Sequence, residues 1–245
     1  MKNIKLLIDF DGTNYSGFQA QENAHTVEDE LNSSISKALG EDIKVVGCSR
    51  TDKGVSARGF VLNFKTESVC PVDKMIYPIN DKLPEDIRVL SSEEVADDFH
   101  ARFSSKGKYY RYTLEHRKFA RATDRHFAYN FPYKLDTSLM RKAAMYMVGE
   151  KDYRAFMAIG SPVDTTIRTI HSVDILEDGD FVYIDVKGKS FLYNMVRIMA
   201  GTLVFVGTGI LDIDEMARAI DEGDRRGLAP TLPAKGLVLE EVYYI

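Results

Sequence analysis

One carboxylate, Asp52, stands among three cations in a stretch punctuated by glycines. The stretch reads Gly47-Cys48-Ser49-Arg50-Thr51-Asp52-Lys53-Gly54-Val55-Ser56-Ala57-Arg58-Gly59, and it follows an apolar segment, residues 43–46, that is typical of a strand. Loops held by rigid elements often carry a protein's chemistry. A carboxylate close to Arg50, Lys53 and Arg58 stays ionised and can act as a nucleophile or a base. Composition alone would favour an ordinary polar turn.

A second candidate is Arg197, the one charge in a nearly all-apolar segment, residues 191–206. This segment predicts a long helix that is hydrophobic nearly all round and therefore buried. A lone buried charge is costly, so we expect Arg197 to have an acidic partner. Helical spacing places Tyr193, Arg197 and Gly201 on one stripe, where the small Gly201 would let another backbone come close. For a buried arginine taken alone, a structural salt bridge is the simpler explanation.

The middle of the chain combines positive charge with aromatic rings. From Arg102 to Arg125 there are eight Lys and Arg residues against two acids, a local charge of +6. The interleaved aromatic residues are Phe103, Tyr109, Tyr110, Tyr112 and Phe119. A groove that follows phosphates and stacks bases needs both residue types. A solvated basic strand with its aromatic rings in the core explains the pattern equally well.

The elements that must position these residues form two similar halves. The first half predicts a strand at 4–10, a helix at 27–39 capped by Thr26 and ended by Gly40, strands at 43–46, 60–64 and 87–90, and a short helix after Pro71. The second predicts a strand at 109–114, a helix capped by Asp136 or Thr137, a hairpin of 167–176 with 181–186, helices at 191–206 and 212–220, and a strand at 237–244. We expect an α+β fold with antiparallel sheets and two domains, residues 1–104 and 105–245.

Composition narrows the function classes. The 245 residues, 44% hydrophobic and 28% charged, are typical of a globular protein with a sizeable core. No apolar run approaches the roughly 20 residues that span a bilayer, and the N-terminus has no signal-peptide pattern, so we expect a cytoplasmic protein. Cys48 and Cys70 fit neither a disulfide framework nor a zinc site. The net charge of −5 argues only weakly against nucleic-acid binding, because residues 1–104 carry −6 and residues 105–245 carry +1.

Several segments resemble the tRNA pseudouridine synthase A (TruA) family. The string Arg-Thr-Asp-x-Gly-Val-x-Ala around Asp52 resembles its active-site motif. Further resemblances, in the family's order, are Gly12–Gln21, Asp98–Ser104, the Tyr-Arg-Tyr strand that begins at Tyr110, the Phe-Leu-x-x-Met-Val-Arg segment that ends at Arg197, and Ala229–Leu239. The chain departs from the family at Phe18, where Trp is common, and at Ser49, Lys53 and Ser56, which replace Gly, Ala and His of the bacterial motif. These departures leave the catalytic assignment intact.

The resemblance implies a pseudouridine synthase fold, with two α+β halves flanking a central catalytic cleft. It assigns catalysis to Asp52, implies that Arg197 pairs with Asp52 and lowers its pKa, and places Tyr110 against the flipped target base. Alternation puts Tyr110 and Tyr112 on one face of their strand, and the sequence does not say which face is the cleft. Phosphate contacts are expected from Arg50, Lys53, Arg58, Arg102 and Arg111. His100, the single histidine of the Asp98–Ser104 segment, is a weaker candidate for acid–base catalysis than Asp52, because a lone histidine near a strand is more often structural.

The implied reaction converts uridine to pseudouridine in the tRNA anticodon stem-loop, around positions 38–40. The N1–C1′ bond breaks, the base rotates and C5 joins C1′, so neither a cofactor nor a metal is required. Asp52 would attack C1′ or remove a sugar proton to form a glycal, and Tyr110 or a water would take the C5 proton. The family's usual homodimer implies a cradle for tRNA made of two subunits.

Two other functions are compatible with parts of this pattern. An inactive RNA-binding protein of the same fold predicts that Asp52→Ala leaves both the RNA affinity and the phenotype unchanged. A carboxylate–metal nuclease needs at least two clustered acids, and the acids nearest to Asp52 in sequence, Glu41, Asp42 and Glu67, lie beyond the positive loop residues.

Overall fold

The computed structural model describes residues 1–158 and 163–244. Its strands are β1 (Lys2–Phe10), β2 (Val46–Gly47), β3 (Ser56–Thr66), β4 (Ile87–Val95), β5 (Gly107–Glu115), β6 (Tyr129–Asn130), β7 (Gly149–Asp152), β8 (Ile167–Asp178), β9 (Phe181–Gly188) and β10 (Leu237–Tyr243). Its α-helices are α1 (Val27–Leu39), α2 (Ile76–Lys82), α3 (Thr137–Ala144), α4 (Met195–Gly207) and α5 (Ile213–Glu222). The chain forms two compact units. The first consists of Met1–Lys106 together with Leu239–Ile245, and the second of Gly107–Val238. The expected α+β class is confirmed.

The first unit builds its sheet in the order β4-β1-β3-β10, with β2 beside β3. β1 pairs antiparallel with both β3 and β4. The alternating residues Ile4, Leu6, Ile8 and Phe10 are all buried, as the period-two pattern of β1 predicts. This buried face forms the core on which the helices of the unit pack.

Helix α1 has the predicted ends. The Asp29 N–H donates to Thr26 Oγ1 at 3.3 Å, and Thr26 Oγ1 donates to the Asp29 carboxylate at 2.5 Å. At the other end Gly40 takes a left-handed conformation with φ +71°, which glycine adopts without a Cβ clash. These local signals fix the helix because they satisfy backbone groups that the first and last turns leave unpaired.

The predicted strand at residues 43–46 is wrong for most of its length. Only Val46–Gly47 joins the sheet, as β2. The Ile43 N–H donates instead to Ser36 Oγ at 2.9 Å, and the Val45 N–H donates to Asn32 Oδ1 at 2.8 Å. Because side chains of α1 satisfy these backbone donors, the segment is held against the helix and forms no ladder.

The second unit has the sheet order β5-β9-β8-β7. Its long pairs are antiparallel, as predicted, and β8 and β9 form the expected hairpin around Gly179, whose φ is +59°. The exception is β6, which pairs with β5 in parallel over only two residues. In the described parts of the chain, none of the helices has the length and apolar character needed to cross a bilayer.

The predicted helix at residues 191–206 begins four residues late, at Met195. Asn194 precedes the helix with φ +60°, a left-handed conformation that interrupts any helix running in from residue 191. Tyr193 therefore lies outside the helix. The predicted helical stripe of Tyr193, Arg197 and Gly201 is wrong for Tyr193. The close approach at Gly201 is confirmed, because a Cβ there would overlap the Pro230 carbonyl oxygen.

Candidate active site

Asp52 lies in the loop between β2 and β3, and backbone hydrogen bonds hold that loop on both sides of it. The Phe18 N–H donates to the Thr51 carbonyl at 3.4 Å, and the Gly54 N–H donates to the Tyr15 carbonyl at 3.3 Å. Both partners come from the short segment that precedes α1. Asp52 itself is half-buried, and its backbone is supported on both sides.

Two glycines allow the segment before α1 to approach the Asp52 loop. A Cβ on Gly17 would overlap the Thr51 carbonyl oxygen, and the φ of Gly17 is +94°. A Cβ on Gly12 would likewise overlap the Val55 carbonyl oxygen, and the Gly12 N–H donates to Ser56 Oγ at 2.9 Å. The segment Gly12–Gln21 therefore supports the loop that carries Asp52.

The three cations predicted around Asp52 have different environments. Arg50 and Lys53 are exposed. Arg58 is paired through Nη1 with Glu240 Oε1 at 2.7 Å, which partly balances its charge. Burial raises the pKa of nearby Asp9, and the positive charge of Arg58 opposes that effect.

Arg50 and Arg102 line the same cleft, which has a volume of about 230 Å³. Phe103 and His100 also line it, with ring centroids 4.3 Å apart, and the Arg102 guanidinium lies 5.7 Å from the Phe103 ring centroid. His100 Nδ1 accepts the N–H groups of Arg102 and Phe103 at 3.2 and 3.3 Å. These two bonds fix the orientation of the His100 ring at the wall of the cleft. The cleft thus combines two cations with an aromatic surface.

Arg197 lies in the first turn of α4, and its guanidinium is fixed by two acceptors. Nε donates to the Leu232 carbonyl at 2.8 Å, and Nη1 donates to Asn194 Oδ1 at 2.7 Å. The Leu232 N–H in turn donates to the Arg197 carbonyl at 3.4 Å. These contacts fix the plane of the guanidinium, whose parallel N–H donors match the two oxygens of a carboxylate. The flexible ammonium of a lysine would not match them as well.

Tyr110 and Tyr112 share the buried face of β5, as alternation predicts. The Tyr110 ring meets the edge of Phe191, with centroids 5.1 Å apart and planes at 82°. The Tyr112 hydroxyl donates to the Pro233 carbonyl at 2.8 Å, and burial raises the pKa of Tyr112, an effect that the charge of Arg197 opposes. The segment after α5 is thereby tied both to β5 and to α4.

Arg111, on the opposite face of β5, forms an ion pair with Asp185. Nε and Nη2 of Arg111 each lie 2.7 Å from one oxygen of the Asp185 carboxylate. The Tyr109 hydroxyl donates to the same carboxylate at 2.8 Å, and the guanidinium lies 4.5 Å from the centroid of the Tyr183 ring. Since Asp185 is buried, this pair anchors β5 to β9 and engages much of the charge expected to meet phosphate.

Within each unit the structure thus groups some of the predicted residues and separates others. Arg50 and Arg102 share a cleft, whereas Arg58 and Arg111 each face a carboxylate. The sequence reasoning missed Asp185, Asn194 and the contact of the Tyr110 ring. For Asp185 a signal existed, since it is a charged residue between two apolar residues of a strand. Among the described residues, no cluster of three or more His, Cys, Asp and Glu side chains is arranged to hold a metal ion.

Known proteins resemble this chain over its whole length. The family model described as tRNA pseudouridine synthase matches residues 6–104 and 143–245. The tRNA pseudouridine synthases A of Clostridium acetobutylicum and Ruminiclostridium cellulolyticum are each 46% identical to the chain, over 244 and 245 residues, and each match covers the whole of both proteins. Among solved structures, an H/ACA ribonucleoprotein bound to a substrate RNA containing 2′-deoxyuridine matches 96% of this chain and 59% of the chain in that structure. The sequence identity is 12% and the TM-score is 0.40, so nothing is argued from this match. The family match and the full-length relatives show that this chain belongs to the tRNA pseudouridine synthase family.

Proposed function

We propose that this protein isomerises uridine to pseudouridine in tRNA, at positions 38–40 of the anticodon stem-loop. The observation that carries the proposal is the full-length similarity to tRNA pseudouridine synthases A. The motif around Asp52, which resembles the family's active-site motif, supports the choice of this carboxylate. The supported loop around Asp52 adds a physical reason, because catalysis requires the reacting group to be held in place.

The chemistry assigned to Asp52 needs one ionised carboxylate. The N1–C1′ bond breaks, the detached base rotates, and a bond forms between C5 and C1′ as the C5 proton leaves and N1 gains a proton from water, so that the net reaction is an isomerisation. No electrons are gained or lost in the net reaction. Asp52 attacks C1′ to form a covalent intermediate, or it removes a sugar proton to form a glycal. Tyr110 or a water accepts the C5 proton.

Arg197 is proposed as a positioning residue that keeps Asp52 ionised and correctly aimed. Support comes from its guanidinium, which the Leu232 carbonyl and Asn194 hold in one orientation. Arg197→Lys keeps the charge and loses the fork, whereas Arg197→Gln loses the charge. We expect both variants to lower kcat, and only Arg197→Gln to move the acid limb of the pH–rate profile to higher pH. A loss of structure alone would not produce that difference.

Tyr110 is proposed to stack on the extruded uridine, with its edge-on contact to Phe191 holding the ring in place. The phosphates on either side of the target are assigned to Arg50, Lys53, Arg58, Arg102 and Arg111. Of these, Arg50 and Arg102 have the strongest support, because they line one cleft beside an aromatic surface. Arg58 and Arg111 would first have to share their charge with Glu240 and Asp185.

We also propose that the protein acts in the cytoplasm as a homodimer whose two subunits cradle one tRNA. The dimer is proposed because members of the family are usually homodimers. Sedimentation of the purified protein at micromolar concentration tests it, and a species with only the mass of one chain would contradict it.

The experiment that tests the function follows the C5 proton. Transcribed tRNA that carries [5-³H]uridine releases tritium only when C5 loses its hydrogen. We expect release by the wild type and by Asp42→Ala, a variant of an exposed acid before the Asp52 loop, and none by Asp52→Ala. Replacement of uridines 38, 39 and 40 by cytidine should abolish release. Binding of tRNA without release would favour the inactive RNA-binding protein instead.

A further inference from the structure

An exposed loop that is both basic and aromatic follows β5. We define the 117–127 loop as residues 117–127. Its outer side chains are those of Lys118, Phe119, Arg121 and Arg125, all of them exposed. Phe119 is 77% exposed, and the Lys118 ammonium lies 5.5 Å from the centroid of its ring. An aromatic ring so exposed gains nothing from burial in this chain, so it is available to a partner.

The base of the 117–127 loop is fixed by a buried carboxylate. Glu115, only 1% exposed, accepts the Arg121 N–H at 3.0 Å and lies 3.4 Å from Arg117 Nε. Arg117 also pairs with Asp180. The Asn130 amide donates to the Glu115 and Arg117 carbonyls at 3.1 and 2.8 Å. The loop therefore presents its outer residues from a supported base.

The charges of the loop are arranged in two layers. The inner cation, Arg117, is balanced by Glu115 and Asp180. For the outer cations Lys118, Arg121 and Arg125, no carboxylate within the described residues lies at salt-bridge distance. The loop thus has three exposed cations, one of them 5.5 Å from an exposed aromatic ring, against one half-buried acid, Asp124. Such a surface is complementary to a polyanion that carries planar bases.

From this arrangement we infer that the 117–127 loop is a second RNA-contact surface, which binds the tRNA backbone at a distance from the target uridine. The inference rests on the proposed function. Lys118, Arg121 and Arg125 bind phosphates, and Phe119 stacks on a base or packs on a ribose. The match to the family model leaves out residues 105–142, so this surface lies outside the part of the chain that the family model describes.

The separation of the two contacts follows from the geometry of β5. The last residue of the strand, Glu115, lies five positions beyond the proposed base-stacking Tyr110. At about 3.4 Å per residue this is roughly 17 Å, before the loop itself begins. Base pairs are about 3.4 Å apart along a DNA helix and somewhat closer along an RNA helix, so the phosphates that meet the loop lie about five or more base pairs from the target.

The test compares tRNA binding by a triple variant with that by a matched control. The variant is Lys118→Ala, Arg121→Ala, Arg125→Ala, and the control is Lys37→Ala, Lys142→Ala, Arg218→Ala, which removes the same charge from exposed positions on three helices. We expect the salt slope of log Kd to fall by about two to three in the loop variant. Between 50 and 200 mM salt, a four-fold change, its loss of affinity relative to wild type should therefore shrink about 16- to 64-fold. Phe119→Ala should weaken binding about five-fold or more, and Phe119→Tyr should not.

Footprinting of the tRNA backbone locates the contact. The loop variant should lose protection at phosphates about five or more base pairs from the target uridine and keep protection around the target itself. The inference is overturned if the loop variant binds as tightly as wild type, if the control weakens binding equally, or if protection is lost only at the target. Tritium release by wild type is measured alongside, because its absence would refute the proposed function and not the RNA contact.

Discussion

Substitution of Gly17 by alanine should misplace Asp52 without touching any group that contacts substrate. A Cβ at this position would overlap the Thr51 carbonyl oxygen, which belongs to the residue directly before Asp52. Relief of that overlap must displace the Asp52 loop by roughly half an ångström or more, because close-packed backbone cannot interpenetrate.

The cost of Gly17→Ala can be worked out from its parts. A left-handed φ of +94° costs a residue with a Cβ about 1–2 kcal/mol. Displacement of the Thr51 carbonyl also breaks its hydrogen bond with the Phe18 N–H, worth about 1 kcal/mol. The free energy of unfolding should therefore fall by about 2–3 kcal/mol. A displacement of this size at a reacting group should lower kcat about 10- to 100-fold.

Gly40→Ala is the matched control. Gly40 also has a left-handed φ, +71°, but nothing lies within 4 Å of the position its Cβ would take. It should lose about 1–2 kcal/mol of stability with kcat unchanged. Urea unfolding and single-turnover tritium release would be measured on both variants at a temperature where both are folded. Equal kcat values for the two variants would refute the idea that residues 12–21 position Asp52.

The remaining predictions concern stability. Asp185→Ala leaves the half-buried guanidinium of Arg111 without its carboxylate and should lower the free energy of unfolding by about 3 kcal/mol in urea titrations; a change under about 1 kcal/mol would mean that the pair is not an anchor. The free energy of unfolding should also fall above about pH 10, because burial raises the folded-state pKa of several tyrosines. Their contribution to stability is complete below the pKa of the unfolded state and is lost as the pH rises through the pKa of the folded state. These tyrosines are Tyr15, Tyr112, Tyr153 and Tyr244. Phenolate absorbance should show them ionising only as the protein unfolds, and ionisation in the native state at pH 10 would contradict the prediction.

Local signals predicted the elements whose ends are set by neighbouring residues. Thr26, Asp29 and Gly40 specify α1 because each acts on backbone groups within a few positions. The errors arose where residues distant in sequence, or a local backbone conformation, determine the secondary structure. Asn32 and Ser36 take the donors of residues 43–45 away from the sheet, and hydrophobicity alone could not reveal the left-handed Asn194 before α4.

The candidate site divides in the same way. Asp52 stands out in the sequence because its neighbours carry charge, and the motif around it resembles a known family. Its support by Gly12 and Gly17 depends on contacts across about 40 residues, which no local pattern encodes. The charge of Asp185 within an apolar strand was visible in the sequence, but its pairing with Arg111 follows only from the position of β9 beside β5.

The central claim is that the Asp52 carboxylate performs the reaction and does not merely bind RNA. Asp52→Asn keeps the size of the side chain and removes its charge and nucleophilicity. Single-turnover tritium release from [5-³H]uridine tRNA, with Kd measured on the same samples, separates the two roles. We predict tRNA affinity within a few-fold of wild type and release at least about 10⁴-fold slower. Release at near the wild-type rate would contradict the account.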